Sequence, residues 1–206
     1  MSISPLPHRQ IRAQYTPSTI TVYQAYPPSI ATAAVQSQTL NNIPGFKTTR
    51  MTWIKPSFLW MGYRSGFATK TNQECVLAIE ISREGFEWAL QHSVLSHISS
   101  MGGDDEKEKA IWKKKLRETP VRIQWDPERD LLFRPLGWRS IQIGLSGEAV
   151  EKYITRWIVS IRDVTGVMRE AKELVDCGEL ARAAELVPRE NVYEVDEEIR
   201  GIIGSS

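Results

Sequence analysis

The chain has 206 residues, 41% hydrophobic and 25% charged, with a formal net charge of +1, which is ordinary for a soluble globular protein. No apolar run is long enough to span a bilayer, and residues 1–8 lack the apolar segment of a secretory signal, so we expect a cytoplasmic protein. The two cysteines and three histidines lack metal-site spacings, which predicts no structural metal.

The acidic residues are distributed unevenly. Residues 1–73 contain none of the 25 acidic residues but seven of the 26 Lys and Arg residues, and the first acid is Glu74. Residues that only decorate a solvated face normally mix both signs. The asymmetry therefore favours a negatively charged partner, such as a nucleotide or nucleic acid.

The first half is predicted to alternate strands and helices. Residues 19–26 alternate apolar and polar β-formers, which indicates a strand, and Pro28 can open a helix to about residue 38. Ser57 can cap a helix that ends near Gly66. The other elements predicted here are strands over 50–54 and 75–81 and a helix over 83–97.

The second half begins with a charged, glycine-containing insert. Residues 99–117 are expected to be a flexible loop or the start of an exposed helix. Asp126 and Pro127 are predicted to form the turn of a hairpin. The remaining predictions are strands over 121–125, 131–134, 139–145 and 158–164, helices over 146–157, 165–176 and 179–187, and a loose tail over 188–206.

The element order defines the expected fold class. Regular βαβ spacing, a GxGxxG loop and a Walker A motif are all missing from the sequence, which disfavours a Rossmann fold. We predict a single α+β domain over residues 1–206, with a curved or split, mostly antiparallel sheet flanked by helices and a C-terminal helical pair. Residues 1–98 would form its basic, ligand-binding half, and residues 118–187 would complete the sheet.

Four arginines are the first candidates for an anion site. A guanidinium keeps its charge and fits phosphate oxygens with two hydrogen bonds. With no acid in their own third of the chain, these arginines either pair with acids from the second half or bind an anion. They are Arg9, Arg12, Arg50 and Arg64.

Aromatic residues interleave with these charges. Tyr23, Trp53 and Tyr63 can stack on a base or a nicotinamide ring, or they can belong to the core. Tyr23 and Gln24 point to opposite faces of a strand, so only one of them can line a given cleft.

Lys55 and Ser57 stand at the start of a predicted helix. Helix amino ends bind phosphate through free N–H groups and the helix dipole, which favours a phosphate contact for both residues. For Ser57, helix capping alone is the alternative.

Two acidic features are ambiguous. Asp126, Glu128 and Asp130 alternate as metal ligands can, but Asp-Pro is also ordinary turn chemistry, and we predict no metal. Glu148 suits the first turn of a helix, where it complements the dipole. It would gain a functional role if the fold brought it to the arginines.

Several segments resemble a known family. The resemblance covers nearly the whole chain and departs mainly at residues 102–109, and it identifies the chain as similar to domain of unknown function 4291. The segments are residues 8–15, 21–26, 50–61, 63–66, 124–130 and 139–149.

A more remote resemblance concerns the order of elements. The strand with Gln24, the following helix, Arg50 with its strand, and the helix before Arg64 are similar in order to the ADP-ribosyltransferase fold, the RNA 2′-phosphotransferase branch being nearest. The resemblance implies an NAD-dependent transferase. This chain departs from it at Gln24, where a histidine or arginine is expected. It has no acid in the first 73 residues, so Glu74 or Glu148 would have to serve as the catalytic carboxylate.

We therefore expect a nucleotide-dependent transferase that uses NAD and acts on a phosphorylated or nucleic-acid acceptor. The expected catalytic residues are Gln24, which would bond a ribose, Arg64, and Glu148, which would stabilise positive charge on the sugar. The expected cofactor-binding residues are Arg9, Arg12, Tyr23, Arg50, Trp53, Lys55, Ser57 and Tyr63. The alternative is a non-catalytic module that binds RNA or single-stranded DNA through the same surface.

Overall fold

The computed structural model describes residues 8–97 and 106–205. The predictions for the first seven residues, for the glycine-containing start of the charged insert and for Ser206 lie outside the described residues. The elements are β1 Arg12–Ala13, β2 Thr19–Tyr26, α1 Pro28–Ser37, β3 Thr52–Ile54, α2 Phe58–Ser65, β4 Cys75–Ser82, α3 Arg83–Gln91, β5 Ser93–Leu95, α4 Glu106–Glu118, β6 Val121–Arg129, β7 Pro135–Leu145, α5 Glu148–Lys152, a π-helical turn Tyr153–Trp157, β8 Ile158–Asp163, α6 Thr165–Asp176, α7 Leu180–Leu186, β9 Asn191–Val192 and α8 Glu197–Ile203.

The strands form separate open sheets. One is antiparallel with the order β2-β4-β8, and another has the order β3-β7-β6-β5, in which only β5 runs parallel to its neighbour. A short antiparallel pair joins β1 to β9. The α+β class is therefore confirmed, with antiparallel and mixed sheets flanked by helices.

The two larger sheets are joined by a backbone bridge between β2 and the residue just after β3. Tyr23 and Lys55 exchange backbone hydrogen bonds in both directions, at 2.7 and 3.3 Å. Beyond this pair the strands diverge into different sheets. The resulting opening lies beside Lys55.

Apolar residues fill both sides of the three-stranded sheet. On one side Ile20 and Ile79 join the larger core, together with Ile143 from β7. On the other side Tyr23 packs with Phe58 of α2 in a smaller core. Burial on both faces explains why β4 is an almost continuous apolar run rather than an alternating one.

Helix α2 follows the predicted capping pattern. The Ser57 hydroxyl accepts a hydrogen bond from the Trp60 amide at 3.2 Å, and Gly66 ends the helix with a φ of 59°. A serine cap and a left-handed glycine are typical helix boundaries. The predicted boundaries of α2 are confirmed.

Three segments differ from the sequence-based expectation. The β6–β7 hairpin turns after Arg129, because Pro127 is accommodated in β6 beside a bulge and does not form the turn. Residues 131–134, predicted to be a strand, therefore lie in the turn before β7. The helix predicted over 83–97 ends at Gln91, and Ser93–Leu95 adds to the mixed sheet as β5. Residues after Val187, expected to be loose, form β9 and α8 and bury Ile199 and Ile203 in the core.

The helices of the described segments are too short or too polar to cross a bilayer.

Candidate functional site

A cleft of about 800 Å³ opens where the two larger sheets separate. Its walls come from β2, the start of α1, the loop before β3, β3 with the residue after it, α2, the loop before β4, and one residue each from β6 and β7. Its principal lining residues are the cations Lys47, Arg50, Lys55 and Arg64, the aromatics Tyr26, Phe46 and Trp53, and the amides Gln24, Asn72, Gln73, Gln124 and Gln142.

The cleft is positively charged. Four cations line it, and no Asp or Glu does so among the described residues. None of the four takes part in an ion pair within residues 8–97 and 106–205. Like charges that are gathered without a counter-charge favour the binding of an anion.

Lys55 differs from the other three cations because it is buried. Only 6% of its surface is exposed, whereas Lys47, Arg50 and Arg64 are exposed. Its ammonium lies 5.2 Å from the centre of the Trp60 ring. Burial and, to a lesser degree, the charge of Arg64 lower the pKa of Lys55 to about 7, against the opposing pull of Asp126. Lys55 can therefore gain or lose a proton near neutral pH.

Asp126 lies behind two glutamines of the cleft wall. One of its oxygens accepts a hydrogen bond from Gln124 Nε2 at 2.9 Å, and the other accepts from Gln142 Nε2 at 2.7 Å. Gln124 and Gln142 are directly paired across β6 and β7. The carboxylate therefore fixes both amides on the wall and is still close enough to raise the pKa of Lys55.

Gln24 lines the cleft with an amide group that is already fully bonded. Its Nε2 donates to the Thr52 hydroxyl at 2.7 Å and to the Trp53 carbonyl at 3.1 Å. Its Oε1 accepts from the hydroxyls of Tyr26 at 2.9 Å and Tyr153 at 2.7 Å. Because an amide has two donors and two acceptor positions, Gln24 can bond a ribose only by giving up one of these partners.

Trp53 supplies an aromatic wall. It is half-buried, and its ring covers Gly144 on the paired strand β7, where a Cβ atom would come within 2.9 Å of the ring. Tyr26 and Phe46 form an edge-to-face pair at 6.2 Å on the same cleft. These rings can offer flat surfaces to a base.

The remaining predicted arginines lie outside the cleft lining. Arg9 Nη1 donates to the Gly204 carbonyl at 3.2 Å. Arg12 donates to Gln10 at 3.0 Å and lies 5.8 Å from the centre of the Trp138 ring. The predicted convergence of four arginines is therefore reduced to two, Arg50 and Arg64.

Tyr23, Tyr63 and Glu148 are also placed elsewhere. Tyr23 is 1% exposed and belongs to the smaller core, as expected once Gln24 faces the cleft. Tyr63 stacks beneath the guanidinium of Arg129 at 3.5 Å. Glu148 is exposed and lies 3.9 Å from Lys152, its neighbour one helical turn later. The structure does not bring Glu148 to the cleft.

The amino end of α2, where a phosphate was expected, is occupied by the protein's own carboxylates. Ser57 donates to Glu128 at 2.9 Å, and the Phe58 amide donates to Glu190 at 2.7 Å. Burial raises the pKa of Glu128, and it raises the pKa of Glu190 to about 8. Ser57 therefore acts as a cap that binds internal acids, and it does not line the cleft.

Sequence reasoning missed much of the wall. Gln124 and Gln142 could have been paired only with the correct hairpin turn, because their register depends on it. Lys47, Asn72 and Gln73 come from loops, where no periodicity assigns a direction. Lys47 belongs to the acid-free stretch, and this was the feature of the sequence that could have indicated it as an anion-binding residue.

The three alternating acids of β6 and its turn are used separately. Asp126 holds the two glutamines, Glu128 bonds Ser57, and Asp130 pairs with Arg134 at 2.7 Å. The described part of the chain contains no group of three or more His, Cys, Asp or Glu that could hold a metal ion.

The family model described as Domain of unknown function (DUF4291) matches residues 10–193. The chain belongs to this family. The matched region includes all the cleft residues, from Gln24 in β2 to Gln142 in β7. The search of curated proteins found no match to this DUF4291 chain.

Proposed function

We propose that the protein is a nucleotide-dependent transferase that binds the phosphates of its nucleotide in the cleft, with NAD as the candidate cofactor. One observation carries the proposal: four cations and three aromatic rings line a cleft of about 800 Å³ whose described wall has no carboxylate. This volume falls in the range of small-molecule sites, roughly 300 to 1,000 Å³.

Different residue types of the cleft suit different parts of a nucleotide. Arg50 and Arg64 present guanidinium forks that suit a diphosphate, and Lys55 adds a charge deeper in the cleft. Trp53 and Phe46 provide faces on which an adenine or nicotinamide ring can stack. A nucleotide has the anionic part and the flat part that such a wall requires.

ADP-ribosyl transfer is the reaction we assign to this site. The assignment follows the ADP-ribosyltransferase-like order of elements, which runs through β2, α1, β3 and α2. In that reaction an anionic oxygen of the acceptor's phosphate forms a bond to the ribose carbon as the bond to nicotinamide breaks, and nicotinamide leaves as a neutral base. Positive charge develops on the sugar, and a carboxylate can stabilise it. In the proposal Asp126 is the candidate for this role, acting from behind the wall through Gln124 and Gln142, to which both of its oxygens are bonded, whereas Glu148 is outside the cleft lining.

The first prediction concerns the two arginines of the cleft. We expect Arg50→Ala and Arg64→Ala each to weaken binding of ADP-ribose about tenfold or more, because a hydrogen bond to a charged group contributes roughly 1.5–3 kcal/mol. The measurement is thermal stabilisation of the protein across a titration with NAD and ADP-ribose. Arg156→Ala is the matched control, because Arg156 is exposed and outside the cleft lining.

Two outcomes would contradict different parts of the proposed function. If ADP-ribose binds the two cleft variants as tightly as it binds the wild type and Arg156→Ala, the cleft is not the nucleotide site. If ADP-ribose binds and depends on both arginines but NAD is not consumed with any acceptor, binding stands and the transferase assignment falls.

The interleaving of aromatic rings with cations supports a second candidate, a module that binds RNA or single-stranded DNA. This function predicts oligonucleotide binding that weakens steeply with salt and no stabilisation by small nucleotides. The same thermal measurements, repeated with oligonucleotides at several salt concentrations, separate the two.

A further inference from the structure

Lys55 is the buried cation of the cleft. It follows β3 directly, and its backbone is bonded to Tyr23 where the two larger sheets meet. With 6% of its surface exposed, Lys55 forms the floor of the cleft, whereas the exposed cations Lys47, Arg50 and Arg64 stand around it. Only a projecting end of a ligand can reach the floor.

The charges that act on Lys55 are unbalanced. Arg64 from α2 opposes its protonation, and Asp126 from β6 favours it. The Asp126 oxygens are already bonded by Gln124 and Gln142, so this carboxylate does not neutralise the floor directly. The other charged or titratable groups that share the cleft are Lys47 and Arg50 from the preceding loop and Tyr26 from β2, whose pKa burial raises.

We propose that Lys55 is the residue by which the cleft distinguishes a terminal phosphate, which carries two negative charges, from a phosphodiester, which carries one. This inference rests on the proposed anion-binding function of the cleft and concerns its phosphorylated acceptor, because the diphosphate of NAD has no terminal phosphate. A group at the floor meets Lys55 and Arg64 together, and a doubly charged group neutralises both. A diester neutralises only one of the two positive charges, so the repulsion between Lys55 and Arg64 is only partly relieved.

The burial of Lys55 strengthens this selection. Since burial lowers its pKa to about 7, Lys55 is partly neutral at physiological pH, and a strongly anionic ligand restores its proton. Above this pH, binding of a terminal phosphate requires uptake of a proton, so affinity falls by up to about tenfold for each pH unit. Below about pH 6 the phosphate itself loses its second charge, and affinity falls again.

Matched ligands test the inference. AMP and 3′,5′-cyclic AMP share adenosine and one phosphorus atom but differ in phosphate charge. With the wild type at about pH 6.5, we expect calorimetry to give about tenfold tighter binding of AMP, which corresponds to roughly 1.4 kcal/mol. In Lys55→Met we expect this preference to fall to about threefold or less, because the second cation at the floor is gone.

Two further variants define the origin of the preference. Lys47→Met removes an exposed cation from the same cleft, so we expect it to weaken both ligands equally and to leave their ratio unchanged. Lys55→Arg keeps a permanent charge, so it should retain the preference and lose the decline in AMP affinity between about pH 7 and 9.

A terminal phosphate can belong to a free nucleotide or to a nucleic-acid end. A short RNA with a 5′-phosphate and the same RNA with a 5′-hydroxyl separate these sources. Tighter binding of the phosphorylated RNA than of AMP supports a nucleic-acid end, and the reverse supports a free nucleotide.

The inference and the proposed function fail differently. An unchanged AMP preference in Lys55→Met, with both ligands still bound, overturns the role of Lys55 and leaves the cleft as an anion site. No binding of NAD, ADP-ribose, AMP or RNA by the wild type overturns both. If Lys55→Met does not fold, the wild-type pH profile decides, because affinity for AMP that stays constant from about pH 7 to 9 contradicts proton uptake by Lys55.

Discussion

Gln24 illustrates how a residue can line a cleft and still serve the fold. The sequence placed it on the opposite face of its strand from Tyr23, and the structure agrees, with Tyr23 in the core and Gln24 on the cleft. The role in ribose binding could not have been judged from the sequence. It depends on four hydroxyl and carbonyl partners, three of which are brought by β3 and the π-helical turn.

We predict that Gln24→Leu destabilises the protein by about 2–3 kcal/mol, because the Tyr153 hydroxyl and the Trp53 carbonyl lose a buried partner. Gln73→Leu is the control. Gln73 is also on the cleft wall, but its side chain has no such buried network among the described residues, so the free energy of unfolding of Gln73→Leu should differ from that of the wild type by about 0.5 kcal/mol or less. Urea denaturation measures both values, and equal changes would contradict the structural role of Gln24.

The arginines show how far single residues can be placed from a sequence. The acid-free stretch correctly indicated unpaired cations, and Arg50 and Arg64 lie on the cleft without an ion pair in the described segments. Arg9 and Arg12 carry the same charge in the same stretch. They diverge because their segment runs alongside β7 and pairs with β9, which no local pattern reveals.

Among the elements, α2 connects the cleft to the C-terminal part of the chain. Its body contributes Met61 and Arg64 to the cleft, and its amino end is bonded by Glu190, which lies just before β9. An acid at a helix amino end normally stabilises it as an anion. Here burial dominates, and the pKa of Glu190 rises to about 8.

This raised pKa makes stability depend on pH. The folded state holds the Glu190 proton up to about pH 8, while the unfolded state releases it near pH 4.5, so the free energy of unfolding should decrease as pH rises across this interval. The slope is at most about 1.4 kcal/mol per pH unit. We expect Glu190→Gln, which keeps an acceptor for the Phe58 amide, to reduce this slope.

The comparison covers about pH 5 to 7, and proton loss from Lys55, which sets in as the pH approaches 7, affects both proteins equally. Denaturation of wild type and Glu190→Gln at several pH values gives the two slopes. Near pH 5 the two proteins should have similar stability, and near pH 7 the variant should be the more stable. Parallel curves would show that Glu190 is already ionised in the folded state.

Elements with local signals were predicted well. The alternation of β2, the prolines before α1, and the Ser57 and Gly66 boundaries of α2 all correspond to observed elements. The turn at Asp126-Pro127 was wrong because a bulge lets a proline remain in β6. Strand β5 is three residues long and is defined by its pairing with β6. A segment this short has no hydrophobic periodicity from which a strand could be predicted.

For the whole molecule, the segment beyond α7 is part of the packed structure. Strand β9 pairs with β1, and Tyr193, Ile199 and Ile203 enter the larger core. Local patterns did not predict this packing, because β9 and α8 are short and the apolar residues are separated by charges. Long-range packing, rather than local propensity, orders this segment.

Ile203→Ala tests that contribution. Ile203 is completely buried, so its truncation should cost about 2–4 kcal/mol through lost burial and the cavity left behind. Val159→Ala is the control, because 56% of Val159 is exposed, and about 0.5 kcal/mol is expected there. The comparison uses urea midpoints at a common slope. A cost for Ile203→Ala as small as that of the control would mean that α8 detaches readily.

The paired backbone bonds between Tyr23 and Lys55 join two sheets at the floor of the cleft. A rotation of one sheet against the other would first stretch the hydrogen bonds of these two amides, because the strands diverge from this pair. The hydrogen-exchange rates of these amides should therefore report how often the two walls of the cleft move apart. A ligand that bridges the two walls would slow the exchange of both amides together, even though neither amide touches it.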